Sequence, residues 1–413
     1  MSEIRVKSTG TIKLFESDNT SHVTIASPAS LSANRTITIP DADVNLTNVN
    51  SIPTLRPNVN PLIINGDMQV AQRGASFSQP DTNNDAYPVD RFSFQTGAIG
   101  VYTSTQETLS SGAAYDDGFR KAARIDCTTA QASPAAGDYF WFQYKMEAQD
   151  CLLFKKGTSS AEKMTVAFWV KSNKTGTSQL TVKDGDNDRI CAGTYAISSA
   201  NTWEHKIINI AADTSGAFNN DNGAGFIFEW WLGAGSSYSS GTVPTAWEAR
   251  TDADRGVQNL SINDNTANDW AITGIQVEVG EYTSATIPPF QHESYGANLE
   301  RCKRYCFMAI YEDGTSKKIG DGYFWATTEV DMGVHFNPQM RANPTLIQVS
   351  GDDYFRIETG TGTRNIDASW NIQMQTKNAA NCYVAPESAG TIGMSGNIIT
   401  YNSNARFGFD AEL

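Results

Sequence analysis

The chain reads as an all-β protein, and three observations carry that reading. Apolar residues recur in short runs with a period of two, as in Met164, Val166, Phe168 and Val170, which is the spacing of a strand buried on one face. Turn residues separate the runs at intervals of roughly 10–20 residues, which suits a two-sheet antiparallel sandwich. Long Ala/Glu/Lys/Leu blocks are absent, so little of the chain favours helix. A length of 413 residues fits two or three domains. With 9 Trp, 15 Tyr and 19 Phe the chain can fill a real core, which argues against wholesale disorder.

Residues 1–50 stand apart. Ile4 and Val6, Ile12 and Leu14, Val23 and Ile25, Ile37 and Ile39, and Val44 and Leu46 form period-two pairs. Each run is too meagre to bury a core by itself. These strands need partners, and other copies of the same chain are the simplest source. The segment is therefore expected to be a short, intertwined β shaft. A ragged arm on a monomeric domain is the alternative. Residues 51–60 carry two prolines and two asparagines and read as a linker.

Residues 61–295 form the largest unit. Its strands are legible in FSFQTG, KAARIDC, DYFWFQYKME, KMTVAFWVKSN, SQLTVKDG, DRICAGTYAIS, TWEHKIINI, GFIFEWWLG and WAITGIQVEVG. Trp169 and Lys171 fall on the opposite face from Phe168 and Val170. Ile272, Ile275, Val277 and Val279 alternate with one slip. Residues 296–306 carry the one helical period, with Leu299, Cys302 and Cys306 on a shared face. Residues 307–413 return to short β runs and read as a second, smaller β-sandwich-like domain.

Composition excludes several kinds of chemistry. The net charge is −14, and residues 51–300 hold 17 Lys+Arg against 28 Asp+Glu. Such a surface repels phosphate backbones and anionic lipid, so no nucleic acid is expected as partner and no membrane insertion. The start, MSEIRVKSTG, has no apolar signal region, and no run of 18 apolar residues occurs. The six cysteines, at 127, 151, 191, 302, 306 and 382, are dilute and read as free buried thiols. Phosphate loops and a nucleophile elbow are missing. His292-Glu293 lacks the second His of a zinc motif. Asp184, Asp186 and Asp188 resemble half a calcium loop, but Arg189 and Tyr195 stand where glycine and a bidentate Glu are needed; an Asp-Gly hairpin turn explains them. Glu229, beside Trp230 and Trp231, is the one acid whose neighbours point towards a glycosidase. The chain is expected not to be an enzyme and to need no cofactor and no metal.

Seven stretches, taken in order, resemble phage tail fibre or minor tail structural proteins. They are VTIASPASLSANRTITIPDADVNL within the first 50 residues, NGDMQVAQRG at 65–74, YPVDRF at 87–92, TVAFWVKSNKTGT at 165–177, QVEVG at 276–280, LERCKRYC at 299–306 and MRANPT at 340–345. The resemblance implies that 61–295 is a carbohydrate-binding-module-like jelly roll and that 307–413 is a distal tip. It implies a homotrimer attached to tail or adaptor proteins through its N-terminal segment and touching host surface glycan. The place of work would be the virion, after assembly in the host bacterial cytoplasm. In such modules a calcium ion often sits where Asn65-Gly66-Asp67 and Gln276-Val277-Glu278 stand here, although the usual acidic pair is not evident. A polysaccharide depolymerase and a purely structural spacer are the competing readings.

A sugar-binding surface needs a flat aromatic face for the C–H side of a pyranose and planar polar groups for its hydroxyls. The aromatics weighed are Trp141, Trp230, Trp231, Trp247 and Trp270 in the sandwich, and Tyr323, Trp325, Tyr354 and Trp370 in the tip. Trp247 and Trp270 lie in polar loops, PTAWEARTD and NTANDW, and Tyr238 lies in the flexible GAGSSYSSGT loop. The candidate glycan platforms are Trp247, Trp270, Tyr238, Trp325 and Tyr354.

Overall fold

The computed structural model describes residues 11–15, 20, 22–26, 60–79 and 86–413. The chain divides into two units, residues 1–55 and 56–413. In the first, Thr11–Phe15 pairs antiparallel with His22–Ala26, so that Ile12 lies opposite Ile25 and Leu14 opposite Val23. The remainder of the expected shaft, and all but the last residue of the expected linker, lie outside the described residues.

The second unit begins with a jelly-roll-type sandwich of two antiparallel sheets. One sheet has seven strands in the order Glu248–Ala249, Arg189–Ile197, Gly176–Asp184, Ala224–Ala234, Tyr139–Glu147, Phe92–Gly97 and Ala86–Val89. The other has six, in the order Glu204–Ile210, Met164–Ser172, Asp269–Val279, Lys121–Thr129, Val101–Thr108 and Ser76–Gln79. Period two decides which side chains face inward. Phe92, Phe94, Phe140, Phe142, Phe168, Val170, Phe228 and Trp230 are fully buried in one cluster, each large side chain contributing roughly 1.5–3 kcal/mol by leaving water. Trp169 points outward, stacks on His205 at 5.0 Å and donates from Nε1 to Asp117 at 3.0 Å.

The slip between Ile272 and Ile275 is a β-bulge at Gly274, whose φ is +63°. It receives the NGD turn: Ile275 N–H donates to the Gly66 carbonyl at 2.9 Å. A Cβ on Gly66 would lie 2.2 Å from the Ile275 oxygen, so only glycine fits. Asn65 and Asp67 then face Asn298, whose Nδ2 lies 3.3 and 3.1 Å from their Oδ1 atoms. A hydrogen-bond donor thus stands beside the oxygens weighed above for calcium.

The connecting helix is shorter than the sequence predicts. It spans Tyr295–Lys303, capped by Ser294, whose Oγ accepts from Ala297 N–H. Cys306, expected on the helical face, instead opens a strand, Cys306–Tyr311. The helical period ends where Tyr305 turns towards Ile64, Val70 and Glu147 and Cys306 enters the C-terminal sheet opposite Asp410. Among the described residues all six cysteines are buried and free.

That domain has a core of its own, built around Phe324, Met332, Phe355, Trp370, Phe407 and Phe409. A three-stranded sheet, Cys306–Tyr311, Arg406–Asp410 and Thr345–Val349, faces one of seven strands. The seven run in the order Gly362–Ile366, Phe355–Thr359, Ser395–Thr400, Lys318–Ala326, Glu329–His335, Ala379–Val384 and Asn371–Gln373.

The two cores are joined by the very motifs that carry the sequence resemblance. Glu147, at the end of Tyr139–Glu147, accepts both prongs of Arg304 at 2.7 Å and the Tyr305 hydroxyl at 2.5 Å. Arg91 pairs with Glu412 and lies 3.4 Å over the Tyr305 ring. Arg73 reaches Asp410 at 3.0 Å and Glu412 at 3.4 Å. Gln72 bridges Asp90 and the Cys306 carbonyl, while Arg341 donates to the carbonyls of Asn222, Ala411 and Glu412. Burial alone would raise both glutamates, but Arg304 and Tyr305 hold Glu147, and Arg91 and Arg73 hold Glu412, below the usual carboxylate range.

Candidate functional site

The seven-stranded C-terminal sheet buries one face and leaves the other to solvent. Phe324, Val330, Met332, Cys382, Val384 and Ile398 all point into the core. Their strand neighbours therefore point out. Along Lys318–Ala326 this places Tyr323 and Trp325 on the open side, 39% and 63% exposed. A tryptophan that exposed is unusual, since burying its ring is strongly favourable. The segment 390–394 hydrogen-bonds to the end of the same strand, with Gly393 N–H to the Phe324 carbonyl and Gly390 N–H to the Thr327 carbonyl, both at 2.8 Å. It brings Ile392, 65% exposed, alongside. Together these residues form an exposed apolar patch.

Register supplies polar neighbours. Tyr323 lies opposite Asp331 on one side and Ser395 on the other, and Asp331 lies opposite Tyr383. One residue row further on, Asp321, Asn397 and Glu358 stand abreast. Directly opposite residues hold their Cβ atoms about 4.5–5.5 Å apart, so the tyrosine, the carboxylate and the serine stand within the span of one small ring. Asn381 Nδ2 donates to Asp331 Oδ2 at 2.7 Å. Lys318 pairs with Asp321 and Arg356 with Glu358, each at 2.7 Å. The arrangement offers flat apolar rings edged by hydrogen-bond acceptors and amides, a chemistry suited to a polyhydroxylated ring.

Of the five platforms expected from sequence, Trp325 alone is both aromatic and widely exposed. Trp270 is a correction: it is fully buried and packs edge-on against Phe142 and Phe94. Its polar neighbours in sequence, Asn268 and Asp269, lie at the strand end, while the ring itself turns inward. Trp247 is half-buried against the sandwich core; its Nε1 donates to the Ala211 carbonyl at 2.7 Å and Lys156 sits 5.4 Å over its ring. Tyr238 is half-buried too, packed on Tyr139, Trp141 and Trp231 with Arg255 against the cluster. Tyr354 packs against the C-terminal core. The faces of these rings meet protein: Trp270 turns inward from its strand, and Trp247, Tyr238 and Tyr354 lie against neighbouring side chains.

Glu229 is likewise engaged by the protein, accepting from Arg255 at 2.6 and 3.2 Å in a buried ion pair. The Asp184 side chain caps the 185–188 turn, accepting from the Asp186 and Asn187 N–H groups at 2.9 and 3.0 Å, and pairs with buried Lys156 at 2.5 Å. The polar members of the C-terminal face, Asp331, Tyr383 and Asn381, went unnoticed in the sequence. The one available signal was the Tyr323-to-Trp325 spacing, which puts two aromatics on one side of a strand.

No family model and no curated protein matches the chain. Among solved structures, a putative sugar-binding protein from Bacteroides thetaiotaomicron is similar at 12% identity, covering 53% of this chain and 100% of its own, with a TM-score of 0.29. The enzymatically active domain of tailspike protein 4 of bacteriophage CBA120 is similar at 10% identity over 53% of this chain, with a TM-score of 0.27. The match spans 21% of that tailspike chain. A family 11 carbohydrate-binding module from Clostridium thermocellum is similar at 11% identity over 50% of this chain and 96% of its own, with a TM-score of 0.24. Likenesses this distant carry nothing about function.

Proposed function

We propose that the chain is a non-enzymatic attachment protein of a phage tail fibre, which adheres to host-surface carbohydrate through the outer face of its C-terminal sheet. The observation that carries the reading is the exposed pair Tyr323 and Trp325, edged by Asp331, Ser395 and Asn397. A pyranose laid on these rings removes apolar C–H surface from water and keeps its hydroxyls within reach of the acceptors. The tail-fibre assignment is supported by the ordered motifs of the sequence, and the same resemblance supports a homotrimer working on the virion. A shallow, open face binds weakly, and several tips acting together raise the net affinity without new contacts.

The test is direct. The purified protein, displayed at high density, is expected to bind a subset of host-surface glycans. Trp325→Ala is expected to weaken that binding about tenfold, with the protein folded and its assembly state unchanged. Undiminished binding by the variant sinks the proposal.

A further inference from the structure

We infer that the saccharide taken by this face is a neutral one, and that it presents a hydroxyl to the Asp331 carboxylate between Tyr323 and Tyr383. The inference rests on the glycan reading above and gives it a substrate class.

Asp331 is 3% exposed, yet only half of its carboxylate is satisfied. Oδ2 accepts from Asn381, whereas Oδ1 is buried with no hydrogen-bond partner. An ionised carboxylate is an acceptor only. An acceptor shut away without a donor costs the free protein stability, and such groups in a folded chain call for an explanation. On this face Lys318 is already paired with Asp321 and Arg356 with Glu358. A hydroxyl arriving with a ligand would supply the missing donor. Tyr323, opposite Asp331 in the ladder and 39% exposed, is the cover that turns aside; an exposed ring changes rotamer within nanoseconds.

The same geometry decides the ligand's charge. A uronate, sialate, sulfate or phosphate would bring a second anion beside Asp331, which has no salt-bridge partner among the described residues, and like charges repel. A neutral hexose brings hydroxyl donors on its rim and a C–H face for Tyr323 and Trp325, and adds no charge.

The experiment compares wild type, Asp331→Asn, Asp331→Leu and Trp325→Ala on neutral, anionic and choline-bearing oligosaccharides, with melting temperatures alongside. Wild type is expected to bind neutral oligosaccharides in a manner sensitive to Trp325→Ala. Both Asp331 variants are expected to lose roughly ten- to a hundredfold in affinity, the scale of one hydrogen bond to a charged group. Both are expected to remain folded: Asp331→Leu removes the unmet acceptor together with the partner of Asn381, and Asp331→Asn puts an amide N–H in its place. Neutral-glycan binding that Trp325→Ala weakens and both Asp331 variants retain overturns the inference and leaves the proposed function standing. So does a preference for anionic or choline-bearing ligands. Binding to none of the three classes overturns both.

Discussion

At the scale of single residues, burial sorts aromatics in a way their sequence neighbours do not. Trp270 follows polar Asn268 and Asp269 whereas Trp325 follows Tyr323 and Phe324, yet it is Trp270 that is sealed in the sandwich core and Trp325 that lies 63% exposed. Their substitutions should read out differently. Trp270→Ala removes a fully buried ring and is expected to cost about 3–5 kcal/mol of stability, seen as a large fall in the denaturant midpoint. Trp325→Ala should shift stability by no more than about 0.5 kcal/mol while lowering glycan affinity by about tenfold, the worth of a stacking contact. Equal stability loss in the two variants would show that the Trp325 ring is not at the surface. Trp325 was legible because its partner two residues away is aromatic. Asp331 was not, because an acid inside a strand gives no periodic signal; its meaning comes from Tyr323 and Tyr383 on the neighbouring strands, and cross-strand register is not written in any local stretch.

At the scale of elements, the strands with apolar alternation were readable and the polar ones were not. KMTVAFWVKSN and GFIFEWWLG became Met164–Ser172 and Ala224–Ala234. Val101–Thr108 escaped notice because its inward side carries Ser104 beside Tyr102, so hydrophobicity does not alternate. Ala379–Val384 hides for another reason: its inward residues Ala380, Cys382 and Val384 are small, and Ala379 and Tyr383 on the outer side blur the alternation. The slip near Ile275 was visible, but its cause, a bulge that takes the carbonyl of Gly66, needs residues some two hundred positions apart. Gly66→Ala drives a methyl against the Ile275 oxygen and should cost about 1–3 kcal/mol, the usual scale of forced backbone strain. Faster hydrogen exchange confined to Asp269–Val279 and the segment around Asn65 would register it; unchanged exchange there would contradict the close approach.

At the scale of the whole molecule, the joint between the two cores rests on buried charge. Removing one partner leaves the other unpaired, which is far worse than losing the pair. Glu147→Ala strands Arg304 and Tyr305 and is expected to cost about 3–5 kcal/mol. The loss should appear as a split melting transition as the C-terminal domain uncouples. The pair also predicts a pH response. Glu147 and Glu412 are held below their ordinary value of 4.5 in the folded chain. Their contribution is therefore complete above that value and is lost as pH falls through the depressed ones. Asp90 and Asp67, raised by burial, run the other way, so loss of stability on acidification belongs to the lowered carboxylates, Glu147 and Glu412 at the joint together with Glu204 and Asp213. Thermal scans from pH 6 to pH 3 should show it, and Glu412→Gln should flatten the slope; an equal slope in the variant contradicts this assignment. Light scattering on the intact chain and on residues 61–413 checks the expected trimer. The shorter chain should be monomeric, and a trimer persisting there would move the contact out of the first sixty residues.

The sequence by itself determined the secondary-structure class, most of the strands and the absence of recognisable catalytic motifs, because these are set by period, turn chemistry and composition within a few residues. It also displayed the motifs at 65–74, 87–92, 299–306 and 340–345. Only the tertiary structure decided that Arg73, Arg91, Arg304 and Arg341 from those motifs meet in one inter-domain joint, and that the exposed aromatic face lies on the other side of the C-terminal core. Burial and cross-strand register are properties of chain segments brought together from afar, and no local pattern encodes which ring ends up covered and which remains in water.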